Sequence, residues 1–205
     1  MKPYIIGKKI GMTQLFLTDG TVVPVTVIET YKGVVTQVKT MAKDGYMAAQ
    51  IGFGDGAKLN KAQTGHFKAT ETKPKIVSEI RIDEEDQKVK VGAKVDSTSF
   101  TEIKQVEISA VSKGKGFAGV IKRHHFSRGP ETHGSDHHRA PGSIGGMFPQ
   151  RVLKGQKLPG HMGHVRTTVK KLELVAVDTK NNLFSIRGSV PGPKGGTVEI
   201  TGIMQ

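Results

Sequence analysis

LELVAVDTKNNLFSIRG, Leu172 to Gly188, carries two strands folded over a turn. Residues 172–177 alternate as a half-buried strand does, residues 178–182 are polar turn text, and residues 183–188 resume as the hairpin partner. Beyond the proline-glycine loop VPGPKGG a last strand is expected at residues 197–203. The same grammar fills the other end of the chain. Residues 22–28 form a β-branched run after the turn signal Thr18-Asp19-Gly20, and Pro24 within it suggests an edge or a bulge, because proline lacks a ladder donor. Strands are expected at residues 34–38 and 47–53 around Asp44-Gly45, and again at 89–95 and 106–111. Residues 76–82 alternate, with Ile76, Ser78, Ile80 and Ile82 on one face and Val77, Glu79 and Arg81 on the other. The stretch after Phe53 is polar and loop-like, with a short helix expected near residues 58–63, and the acidic run 83–86 reads as a turn. The expectation is a mostly β body made from both chain ends.

Between the two ends the text changes. Residues 113–166 hold ten Lys or Arg, two acidic residues, seven of the eight histidines and eleven glycines. That window carries +8 of the chain's +13, and it lacks the apolar runs needed for a core of its own. Such a stretch inside a compact domain reads as a functional excursion. A surplus of 31 basic over 18 acidic residues attracts polyanions, and nucleic acid fits better than a membrane because no long amphipathic basic helix is visible. With no cysteine, disulfides, thiolate nucleophiles and cysteine metal sites are excluded. No signal-peptide-like or 18-residue apolar stretch occurs, so an intracellular, cytoplasmic location is expected. Tryptophan is absent and aromatics are 5%, which argues against stacking platforms of the single-strand modules.

Within the basic window, SKGKGFAG places Lys113 and Lys115 among glycines that let backbone amides approach a phosphate; the Walker spacing is absent. VIKRHHFSRG gathers Lys122, Arg123, His124, His125 and Arg128 around Phe126, groups that fork onto phosphate or stack on bases. THGSDHHRAPGSIGG offers His133, His137 and His138 beside Asp136 as metal donors, with Arg139 following. The surrounding glycine and proline disfavour the helix that an HxxxH pair needs, and no HExxH glutamate is present, so neither a metal nor a cofactor is expected. FPQRVLKGQKLPGHMGHVR spaces Arg151, Lys154, Lys157, His161, His164 and Arg166 along an irregular chain, with Met147, Leu158 and Met162 read as small packing anchors. Lys8, Lys9, Lys170 and Lys171 form a weaker second basic patch. A histidine–metal hydrolase on His133, His137 and His138 is the competing class, and a DNA compactor a third. No GxSxG and no carboxylate pair within the histidine-rich region supports an enzyme.

The motifs IGKKIGMTQLF, PVTVIE, VTQVKT, SKGKGFAGVIKRHHF, THGS, PGSIG, KGQKLPGHMGHVRTTV and VPGPKGG, in that order, resemble the bacterial type of the ribosomal protein L3 (uL3) family over essentially the whole chain. The resemblance implies a translation-factor-like β-barrel body at residues 1–111 plus 167–205, with a small α+β part inserted at about 55–90. It implies a long basic, glycine-rich finger, residues 112–166 with its roots, reaching toward the peptidyl transferase centre. Residues 122–157 correspond to the finger itself and 142–151 to its inmost part. It further implies direct binding to large-subunit rRNA near its 3′ end, an early role in assembly, and ribosomal proteins L14 and L19 as neighbours, with no membrane or DNA partner. Where some relatives carry a QNQTPG-like stretch, the text here is GMFPQR, so modification of Gln150 is not expected.

Overall fold

The Thr18-Asp19-Gly20 turn folds the second strand back on the first, and from that hairpin a ring of strands grows. The structure is a computed structural model that describes residues 2–56, 58–82 and 89–203. It divides into two compact units, Met1–Val111 with Arg166–Gln205, and Ser112–Val165.

In the first unit β1 (Tyr4–Phe16) pairs with β2 (Val22–Thr30) and with β12 (Thr197–Ile203). The circuit continues through β7 (Gln105–Val111), β10 (Arg166–Asp178) and β11 (Leu183–Arg187) and returns to β2, so six antiparallel strands close into a ring. Closure pairs the strands on both edges without a covering layer, except where β1 runs on past the end of β12. Inward positions are filled by Val25, Ile28, Val106, Ile108, Phe184, Ile186, Val198 and Ile200, all essentially buried.

Between β2 and β7 the chain lays down a second sheet in the order β5 (Ile76–Arg81), β4 (Ala48–Phe53), β3 (Gly33–Lys39), β6 (Lys94–Val95). A short helix α1 (Met41–Asp44), ended by Gly45 at φ 74°, links β3 to β4. The helix α2 (Lys61–His66) starts from a capping box, Asn60 accepting from the Gln63 amide while the Gln63 side chain accepts from the Asn60 amide. The two sheets share one apolar core, in which Tyr4 meets Phe53 edge-on at 5.9 Å and Phe100 meets Phe184 at 5.2 Å.

Three expectations change. Pro24 lies neither on an edge strand nor at a bulge: β2 is paired on both sides. Its carbonyl accepts the Gly188 amide just past the last β2–β11 pair, Val25 with Arg187, so the missing donor falls where that ladder ends. The strand expected at 89–95 shrinks to Lys94–Val95, because Gly92 turns the chain at φ 88°. The strands between Gly33 and Val95, expected within one β body, form a sheet of their own, since strand text shows which face is buried but not which sheet a strand joins. The acidic run 83–86 lies outside the described residues.

Candidate nucleic-acid interface

The basic unit starts and finishes as a narrow ladder. Ser112 N–H donates to Val165 O at 2.9 Å, Lys115 N–H to Met162 O at 2.9 Å, and Met162 N–H to Gly116 O at 2.9 Å. Directly beyond, β8 (Phe117–Ala118) pairs with β9 (Gly160–His161). The two arms approach so closely at Gly163 that an added Cβ would lie 2.2 Å from Lys113 O, and its φ of 75° also suits glycine alone. Lys113, Lys115, His161 and His164 all stand exposed on this root.

Next comes a helical turn, α3 (Val120–His124), stopped by His125 in the left-handed region at φ 58°. Val120 is buried and Lys122 exposed. Arg123 and His124 turn back across the unit: Arg123 Nη1 donates to Leu158 O at 2.7 Å, and His124 Nε2 to the same carbonyl at 3.1 Å. These two half-buried side chains staple the outgoing arm to the returning one. Past them, Gly129 N–H donates to His138 O at 3.1 Å and His138 Nδ1 to Pro130 O at 2.8 Å, while Arg128 is ion-paired with Glu131. The small loop so closed leaves His125, His133 and His137 exposed.

From Arg139 through Lys157 every residue is exposed, and none is acidic. Arg139, Arg151, Lys154 and Lys157 are spread along this run together with bare apolar side chains: Met147 is 81% exposed and Phe148 78%. Met147 is therefore not a packing anchor. Gly145, Gly146 and Pro149 around it supply no apolar neighbours to bury it, whereas Leu158 and Met162 on the stapled arm are half-buried. A run of cations, glycines and exposed apolar groups without a core suits a partner that brings phosphates and ring faces of its own.

The remaining expected residues sit in the first unit. Arg166 opens β10 opposite Val111, and its guanidinium grips the Glu199 carboxylate with both Nη atoms. Lys170 and Lys171 lie exposed at a bulge in β10, where Lys171 takes φ 56°. In β1, Lys8 is exposed, while Lys9 Nζ donates to Val190 O at 2.6 Å and Gly192 O at 3.2 Å and so holds the VPGPKGG loop. Arg166 and Lys9 thus carry structural duties that their one-letter text did not show. Among the described residues, no group of three or more His, Asp or Glu is placed to hold a metal ion. The exposed Phe117 and Phe148 were missed as candidate contacts. Their signal was an aromatic set among glycines with no apolar run to shelter it.

A family model described as "Ribosomal protein L3" matches residues 75–203. The chain is 49% identical over 202 residues to the large ribosomal subunit protein uL3 of Heliobacterium modesticaldum, covering 97% of this chain and 96% of that one. It is 50% identical to the uL3 of Oceanobacillus iheyensis (96% and 95% covered) and 51% identical to that of Shouchella clausii (93% and 92%). The chain belongs to the ribosomal protein L3 family. That family is structural, and the protein is not an enzyme. Membership leaves the exposed histidines of the basic unit without a catalytic task.

Proposed function

We propose that the protein is a structural constituent of the large ribosomal subunit and binds large-subunit rRNA through the basic unit. The observation that carries this is the acid-free, wholly exposed run from Arg139 through Lys157. Lysine and arginine side chains there neutralise phosphates, and the exposed glycine backbone lies close to the sugar–phosphate chain. Shape and many placed contacts supply selectivity, as A-form RNA offers side chains little to read in its deep groove. Family membership supports the finer reading. The ring of six strands acts as a translation-factor-type barrel with the second sheet as its inserted α+β part. Residues 122–157 form the finger, 142–151 its inmost part, directed toward the peptidyl transferase centre. Binding falls near the 3′ end of the rRNA, early in assembly, beside L14 and L19.

Replacing residues 122–157 with a short glycine linker tests the central claim. The ring unit is expected to fold, by circular dichroism and thermal unfolding, while affinity for large-subunit rRNA drops by orders of magnitude in filter binding. Unchanged affinity would remove the finger from the interface.

A further inference from the structure

β1 outruns one of its neighbours. It pairs with β12 only over Tyr4–Lys8, with Lys9 exchanging backbone bonds with Gly195 and Gly196 (2.7 and 3.0 Å), yet it runs alongside β2 as far as Phe16, opposite Val22. Past Lys9, the second edge of β1 has no backbone partner among the described residues. Leu17 N–H donates to Thr21 O at 2.9 Å, so the alternation of the ladder turns the backbone groups of Met12, Gln14 and Phe16 away from β2. Met12 and Phe16 share one face with Val22, at 55%, 74% and 47% exposure.

Natural edges are blunted by lysine, proline or charge, and none of these occurs in β1 between Ile10 and Phe16. Charge then selects the occupant. The hairpin from Ile10 to Pro24 contains no Lys or Arg, in a chain that has 31. Its single charged residue is Asp19, which accepts the Thr21 amide at 2.9 Å in the turn. RNA finds no counter-charge there. A second copy of this chain would bring +13 against +13. An apolar segment of a different protein that lacks such a surplus meets neither that repulsion nor a cation to desolvate.

We propose that this hairpin is a docking edge for a second protein of the same particle, which adds an extended segment to β1 along Met12–Phe16. Alternate apolar side chains of that segment cover Met12, Phe16 and Val22, and main-chain hydrogen bonds to the Met12, Gln14 and Phe16 edge set its register. The proposal rests on the large-subunit reading for where the partner is found.

The chain has no cysteine, so Leu17→Cys gives the full-length protein one attachment point for a benzophenone photoprobe. The labelled chain is first assayed for rRNA binding, then reconstituted into large subunits and irradiated. The expected result is an adduct with one other subunit protein, its cross-linked peptide an extended segment. Gln14→Pro, which removes only an outward-facing amide, and Phe16→Asp on the exposed face each lower the yield about tenfold with rRNA binding unchanged. An adduct with rRNA, an adduct with a second copy, no adduct, or a yield indifferent to both variants overturns the docking edge alone. Failure to bind rRNA at the first step takes down the large-subunit reading, and the docking edge with it.

Discussion

At the scale of single residues, the same side-chain type does opposite jobs according to what faces it. Arg123 spends a guanidinium donor on Leu158 O, whereas Arg151 stands exposed. Tyr4 shows how such placement becomes stability. Burial pushes its phenol up from 10.0 to about 12, although the 2.7 Å bond to Ser78 opposes that rise. A group whose folded pKa is raised contributes stability that is complete below the unfolded pKa. For Tyr4 that contribution is lost as pH climbs from 10 towards 12, a loss of about 2–3 kcal/mol. Tyr4→Phe cannot ionise, but it forfeits the bond to Ser78, about 1 kcal/mol at neutral pH. Denaturant unfolding at a series of pH values should therefore show the variant less stable near neutrality. The difference should shrink above about pH 10 and reverse by about pH 11. A constant difference would mean the phenol is not buried in the folded state.

At the scale of elements, the root ladder of the basic unit depends on Gly163. Alanine there must escape both φ 75° and the Lys113 carbonyl, so Gly163→Ala should part the two arms between residues 112 and 118. Amide exchange of Lys115 and Met162, whose N–H groups close that ladder, should quicken by at least about tenfold, while β1 and β12 amides keep their protection. Element existence was largely legible. Residues 76–82 alternate inward and outward as their text says, and the strand pair around Asp178–Asn182 stands as expected. What escaped has physical causes. The capping box Asn60–Gln63 starts α2 three residues later than its polar composition suggested. The strand expected at 172–177 begins six residues earlier, at Arg166, because the bulge between Val169 and Leu172 breaks the period of two that would have marked its first part. At the site, charge density marked the interface, but no pattern in sequence says that Lys9 and Arg166 are turned onto carbonyls and a carboxylate. Those bonds join positions more than thirty residues apart, and only the register of the ring brings them together.

At the scale of the whole molecule, charge is unevenly shared, and binding should follow the unequal share. Residues 113–166 carry +8 and the remaining 151 residues together +5. Part of the first figure is already committed, since Arg166 is paired with Glu199 outside that window. The cations with no acidic neighbour in their run are Arg139, Arg151, Lys154 and Lys157. Replacing Arg151, Lys154 and Lys157 by Gln removes three positive charges while leaving the stapled root, Arg123 with Leu158, in place. Each phosphate contact contributes about 0.7 to 0.9 to the slope of log affinity against log salt, so the triple variant should flatten that slope by about 2 to 3. Lys8→Gln with Lys170→Gln and Lys171→Gln, the matched control on the ring unit, should flatten it by less than about 1 if the extension carries the interface. Filter binding of large-subunit rRNA over about 50 to 400 mM potassium chloride measures both. Equal slopes for the two triple variants would spread the footprint evenly over the molecule and return the finger to one contributor among several.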